Sequence, residues 1–75
     1  MIMLANDNNL VMISVMEKLV TIRTKQFLTQ RELAARAGVT VSTVNRLERR
    51  LQNPTFKTIK ALAKALNVDP AEIIF

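Results

Sequence analysis

The sequence predicts a single all-α domain of five short helices, preceded by an N-terminal arm. The chain has 75 residues, which is the length of one domain. Hydrophobic residues make up 49% of it, with one glycine and two prolines, so the composition favours a packed helical domain over disorder. From residue 16 onward, apolar residues recur at helical spacing between capping signals, and neither a strand pattern nor an internal repeat is evident.

Residues 1–15 make up the predicted arm. A polar segment at residues 6–9 separates two apolar stretches, and Asp7 is the only charged residue before Glu17. The composition leaves two alternatives: the arm is loosely attached, or it runs into the first helix from about Leu10.

The first helix is predicted at about residues 16–26. Its apolar face would consist of Met16, Leu19, Val20 and Phe27. Its basic residues, which we expect in solvent, are Lys18, Arg23 and Lys25.

The second helix is predicted at about residues 30–37. Thr29 and Glu32 have the spacing of a capping box, in which each side chain bonds the backbone amide of the other residue. Leu28 and Leu33 flank this box as a hydrophobic staple. Gly38, the only glycine, would end the helix in the left-handed conformation.

The third helix is predicted at about residues 41–49, with Thr40 as its N-cap and with Val44 and Leu47 on its inner face. Two further helices are predicted after Pro54. The fourth covers about residues 56–66, and its apolar positions have helical spacing. These positions are Ile59, Leu62, Ala63 and Leu66, opposite a solvent-facing stripe of Lys57, Lys60 and Lys64.

The fifth helix is predicted at about residues 70–75. Asp69 and Glu72 have capping-box spacing, and Pro70 stands at the first helical position, where its missing amide costs nothing.

The composition also limits the classes of function. The chain has neither cysteine nor histidine, so metal binding and acid–base catalysis lack their commonest residues, and we expect no enzyme, no cofactor and no metal. The net charge of +5 predicts an anionic partner, either nucleic acid or a membrane surface. The uncharged run from Asn8 to Met16 is far short of the roughly 20 residues that span a bilayer, so a cytoplasmic protein is expected.

The second and third helices, with the turn at Gly38, form a candidate helix-turn-helix. Ala34 and Ala37 are small enough for the two helices to approach closely, while Val39, Val44 and Leu47 would supply the shared core. Such a pair can project the polar face of its second helix away from the body.

Four segments of the sequence resemble the phage-repressor/Cro type helix-turn-helix family, also called XRE. They are residues 28–39, 42–48, 53–54 and 59–68, and the resemblance extends over residues 17–75. It implies a lambda-repressor-like fold that binds DNA. The sequence departs from the family in two places: Arg49, Arg50 and Leu51 stand where a glycine is usual, and the arm has no counterpart.

The resemblance places the third helix in the major groove of DNA. Base edges would be read by Val41, Ser42 and Arg46. This agrees with the chemistry of the side chains, since arginine can bond guanine twice and valine can pack on a thymine methyl group. The DNA backbone or bases would be contacted by Gln30, Thr40, Thr43, Asn45, Arg49, Arg50, Gln52 and Asn53. Gln30 would also brace the third helix, and Glu48 is expected to form a local salt bridge or support the following loop.

The leading functional hypothesis is a transcriptional regulator of bacterial, phage or mobile-element origin, expected to be a repressor. One recognition helix covers few base pairs, so a homodimer on a palindromic operator is expected. Candidate dimer surfaces are Ile73, Ile74 and Phe75 at the end of the chain, and Leu10, Val11 and Ile13 in the arm. The alternative is an antitoxin that binds its own promoter and a toxin protein. A cationic membrane-surface binder is a distant third hypothesis.

Overall fold

The computed structural model describes residues 2–6, 9–12 and 16–75, the first two ranges by their backbone alone. The described residues form four α-helices, one 3₁₀ turn and two small two-stranded sheets. The helices are α1 (Leu19–Lys25), α2 (Gln30–Ala37), α3 (Val41–Glu48) and α4 (Phe56–Leu66), and the 3₁₀ turn covers Pro70–Glu72. The strands are β1 (Ile2–Asn6), β2 (Asn9–Met12), β3 (Glu17–Lys18) and β4 (Ile73–Ile74). The predicted helical architecture is therefore confirmed, whereas the count of five helices is wrong.

The inner faces of all four helices meet in one apolar core. Its buried residues are Leu19, Ile22, Leu28, Leu33, Ala34, Val44, Leu47, Leu62, Ala63, Leu66 and Ile73. Burial of this apolar surface is the main force that holds the short helices together, since isolated helices of this length are marginal in water. Of the residues expected in the core, Val20 and Ile59 are half-buried.

The first helix begins three residues later than predicted. Lys18 has extended backbone angles, and Glu17 and Lys18 pair in parallel with Ile73 and Ile74. Residues that belong to this ladder cannot also belong to a helix. Met16, which we expected in the core, is therefore 60% exposed.

The predicted fifth helix is replaced by the 3₁₀ turn and β4. The Asp69 side chain accepts from the amide of Ala71, and this closes a tighter turn than the predicted capping box would. The chain then extends, so that Ile73 enters the core and Ile74 is half-buried.

The arm contains an antiparallel hairpin rather than a helical extension. β1 pairs with β2, with Ile2 opposite Met12 and Leu4 opposite Leu10, so the expectation of a helix from Leu10 is wrong. Apolar stretches on both sides of a polar, asparagine-rich segment are typical of a hairpin, and this strand pattern was missed. Ile13 lies outside the described residues.

All four helices end in a residue with a positive φ. These residues are Phe27 (58°), Gly38 (70°), Arg50 (57°) and Asn67 (56°). At each end, two backbone amides turn back to the carbonyls of the last helical turn, which is the Schellman arrangement. The expected role of Gly38 is confirmed, and Asn67 ends α4 in the same conformation. Phe27, by contrast, lies beyond the helix and is 91% exposed instead of packing on the apolar face of α1.

Two further classes of feature are not found in the residues described. No helix among them has both the length and the apolar character to cross a membrane. Within the same ranges, no group of acidic residues could hold a metal ion.

Candidate nucleic-acid interface

In the α2–turn–α3 unit, local hydrogen bonds define the start of each helix. Thr29 and Glu32 form the predicted capping box at the start of α2. Thr40 caps α3 by accepting from the amide of Thr43 at 3.1 Å, as predicted. Between the helices, Gly38 adopts the left-handed conformation, so the chain turns from α2 into α3 within three residues. Short-range bonds therefore define where α3 begins and how it leaves α2.

The outward side of α3 borders a groove of about 420 Å³ on the protein surface. The groove is lined by Gln30, Val41, Ser42, Asn45, Arg46, Arg49 and Leu51. Residues 41, 42, 45, 46 and 49 of this lining follow the helical repeat, so they form one stripe along α3. The groove therefore combines two arginines with amide, hydroxyl and apolar side chains on one face of a projecting helix.

The structure brings together the three residues expected to read bases. Val41, Ser42 and Arg46 are all exposed and all line the groove. Arg46 offers a planar set of donors, Ser42 can donate or accept, and Val41 offers an apolar surface. These are the chemical groups that distinguish base pairs at the floor of the major groove.

A charged network behind the groove joins three helices. Arg23 of α1 donates two hydrogen bonds to Glu48 at the end of α3, at 2.5 Å and 3.0 Å. Arg23 also donates to the carbonyl of Leu28 at 2.7 Å, and Gln30 of α2 donates to Glu48 at 2.9 Å. The network therefore fixes α3 relative to both α1 and α2.

Solvent has little access to this ion pair. The side chains of Arg23 and Glu48 are 13% and 5% exposed. The hydrogen bonds to Glu48 raise the pKa of Arg23 above its ordinary value, and its burial opposes this shift. Arg23 therefore stays protonated and pairs with the carboxylate of Glu48 at the end of α3. The expectation of Arg23 in solvent is wrong, while the salt bridge expected of Glu48 is present, with a partner on another helix.

The remaining predicted contact residues differ in how firmly they are held. Asn45 donates to Gln30 at 3.4 Å, and Thr43 bonds the hydroxyl of Thr40 at 2.9 Å. Hydrogen bonds within the motif therefore fix the side chains of Thr40, Thr43 and Asn45. Exposed positions after α3, by contrast, are occupied by Arg49, Arg50, Gln52 and Asn53.

The cations around the groove are not neutralised by neighbouring acids. Between residues 16 and 75, the ion pairs are Arg23 with Glu48 and Lys25 with Glu17. Arg46, Arg49 and Arg50 thus carry uncompensated charge at or beside the groove, as a surface for phosphates requires.

Sequence reasoning missed two residues of the site. Leu51 lines the groove and is 62% exposed, an unusual position for a large apolar side chain. Its place directly after a basic pair, beyond the predicted end of the third helix, was the available signal. Arg23 was missed because its partner is 25 residues away in sequence.

Comparisons with known proteins agree with this geometry. The helix-turn-helix family model HTH_3 matches residues 19–73. An uncharacterized HTH-type transcriptional regulator, y4dJ of Sinorhizobium fredii, is 40% identical over 53 residues, which cover 71% of this chain and 69% of the relative.

A solved structure is similar as well. The crystal structure of the restriction-modification controller protein C.AhdI from Aeromonas hydrophila superimposes with a TM-score of 0.71 at 37% identity, covering 72% of this chain and 82% of that one. The chain therefore belongs to the XRE-type helix-turn-helix family of DNA-binding transcriptional regulators, as its sequence resemblance predicted.

Proposed function

We propose that this protein is a sequence-specific repressor that binds a palindromic operator as a homodimer, with α3 of each copy in the major groove. The observation that carries the proposal is the face of α3: Val41, Ser42 and Arg46 line one exposed groove. An ion pair between Arg23 and Glu48, largely shielded from solvent, holds the end of this helix. An α-helix with its side chains is about 10–12 Å across, and the major groove of B-DNA is about 12 Å wide.

Base recognition is assigned to three side chains. Arg46 bonds the O6 and N7 atoms of a guanine, because a guanidinium matches this pair of acceptors. Val41 packs on a thymine methyl group, and Ser42 bonds a base edge in either direction. Together they cover only a few base pairs of each half-site.

Contacts with the sugar–phosphate backbone set the orientation of α3. Gln30 and Asn45, which are hydrogen-bonded to each other, contact a phosphate near the start of α2. Thr40 contacts another phosphate at the start of α3. Thr43 contacts base or backbone beside Thr40. The loop after α3 supplies the flanking phosphate contacts through Arg49, Arg50, Gln52 and Asn53. These contacts provide affinity that does not depend on sequence.

A second copy supplies the discrimination that one recognition helix lacks. Of the candidate dimer surfaces, the end of the chain is the weaker, because Ile73 is buried and Phe75 packs against the core of its own domain. We therefore assign dimerisation to residues 1–15, outside a DNA-binding unit of residues 16–75. Strand β2, which contains Leu10 and Val11, belongs to a sheet that has two strands in the described part of the chain, and edge strands pair readily with another strand.

Selection of bound sites from random duplexes, with sedimentation of the complex, tests the proposal. The expected result is a two-fold symmetric consensus with half-sites about one helical turn apart, bound by two copies. Repression is tested separately, by placing the selected site at a promoter and measuring a reporter. Binding without sequence preference, or a single asymmetric site bound by one copy, would refute the operator model.

Control of restriction and modification genes is a second candidate function, favoured by the similarity to C.AhdI. This narrower role uses the same recognition surface. It requires the selected consensus to occur upstream of an endonuclease and methyltransferase gene pair in the source genome, and it fails if no such site exists.

A further inference from the structure

Two helices end at residues whose side chains are poorly suited to a left-handed backbone. Of the four residues with a positive φ, Gly38 and Asn67 tolerate this conformation, whereas Phe27 and Arg50 each carry a β-carbon that is crowded by the neighbouring carbonyl. The Arg50 turn is formed by amides 50 and 51, which bond the carbonyls of Leu47 and Arg46 at 3.1 Å and 2.8 Å. A glycine would satisfy the same bonds without strain.

No contact within the described domain explains arginine at position 50. The residue is exposed, and between residues 16 and 75 no acid lies within ion-pair distance of it. Arg49 and Leu51 on either side line the groove of α3, but Arg50 does not. Its side chain is therefore not part of the groove that would hold the bases.

A helix in the major groove is flanked on both sides by phosphates. An exposed basic side chain at the end of that helix, outside the groove that would hold the bases, is placed to meet one of these phosphates. We propose that Arg50 binds a phosphate of the DNA and that this contact comes with a loss of folding stability. The same residue strains the end of α3 and increases the affinity for DNA. This inference rests on the proposed function. It adds that Arg50, unlike the other loop residues assigned to phosphates, binds DNA from a strained backbone conformation.

The test compares Arg50→Gly with two control variants of the full chain. Arg50→Gly removes both the strain and the charge, while Arg50→Lys keeps the charge and the strained backbone. Phe27→Gly is the matched control for strain, because Phe27 ends α1 in the same conformation, is 91% exposed and carries no charge.

Each variant is measured by thermal unfolding and by DNA affinity as a function of salt, on the site selected by the wild type. Arg50→Gly is expected to raise Tm by roughly 2–4 °C, since relief of the strain outweighs the lost attraction between the arginine and the helix C-terminus. Because both copies carry the substitution, it is expected to reduce the slope of log K against log salt by about 1.8, the effect of two lost phosphate contacts, and to weaken binding roughly 60-fold at about 0.1 M salt.

The controls are expected to separate the two effects. Phe27→Gly should raise Tm by a similar amount with unchanged affinity and slope, and Arg50→Lys should leave the slope and Tm near those of the wild type. Arg50→Gly that binds as tightly as the wild type, or that melts at a lower temperature, overturns the inference and leaves the proposed function intact. If the wild type selects no DNA site at all, the proposed function itself fails.

Discussion

At the scale of single residues, the site depends on which charges are paired and which are left available. Arg23 and Arg46 have the same side chain, yet Arg23 is held by Glu48 behind α3 while Arg46 lines the open groove. The first arginine supports the motif, and the second is available to a ligand. Their roles therefore follow from position and not from residue type.

Replacement of Arg46 by alanine is expected to remove discrimination at one base pair of each half-site. The expected loss is about 1–3 kcal/mol for the preferred base, with little change for sequences that lack it. Affinity measurements on the selected operator and on its single-base variants check this. An equal loss on every sequence would make Arg46 a phosphate contact instead.

Replacement of Arg23 by methionine is expected to destabilise the fold by about 3 kcal/mol, because the carboxylate of Glu48 is then left buried without its cation. The double variant with Met at both Arg23 and Glu48 should be more stable than Arg23→Met, since no unpaired charge remains. Urea unfolding of the variants measures both effects. A loss below about 1 kcal/mol for Arg23→Met would mean that the pair contributes no more than a surface salt bridge.

At the scale of elements, the structure separates what local sequence determines from what distant contacts determine. The bounds of α2 and α4 agree with the predictions, and α3 ends one residue earlier than expected. These helices are bounded by caps such as Thr29, Thr40 and Thr55, whose bonds span three residues and can therefore be identified from sequence.

The first and last elements could not be predicted in the same way. β3 and β4 lie at opposite ends of the domain sequence and form only as a pair, so neither has a signal of its own. The same limit applies to the site. Six of the seven groove residues followed from the family resemblance, all but Leu51. The Arg23–Glu48 contact joins α1 to α3 and depends on the tertiary fold.

The capping box of α2 predicts a pH dependence of stability. The backbone amide and side chain of Thr29 lower the pKa of Glu32, with a smaller contribution from Arg36. A lowered folded-state pKa means that this contribution is present above the unfolded pKa and is lost as pH falls through the folded value. The stability advantage of the wild type over Glu32→Gln should therefore shrink as the pH falls below the ordinary pKa of a glutamate, as measured by urea unfolding. An advantage that does not change with pH would show that the carboxylate charge is not involved.

At the scale of the whole molecule, charge is distributed unevenly along the chain. All eleven basic residues lie between Lys18 and Lys64, where Glu32 and Glu48 are the only acids. Glu48 is paired within the protein, which leaves the helix-turn-helix region strongly cationic. The apolar residues of β1 and β2 lie outside this region. The proposed function therefore assigns DNA binding and self-association to different parts of the chain.

Binding to the operator is expected to weaken steeply with salt. Log K should fall by about 0.9 per phosphate neutralised, multiplied by the number of contacts from both copies. Titrations over a series of salt concentrations give this slope. A complex that is insensitive to salt would mean that the cationic region is not the binding surface.

The most direct test of α3 as a reader of the major groove is a double-mutant cycle between Arg46 and its guanine. Substitution of 7-deazaguanine for that guanine in the selected operator removes the N7 acceptor and leaves the minor groove unchanged. The wild type is expected to lose about tenfold in affinity on the modified duplex, while Arg46→Ala should bind modified and unmodified duplexes equally. If the wild type binds both duplexes with the same affinity at every guanine of the site, α3 does not read DNA through Arg46 and the assignment is wrong.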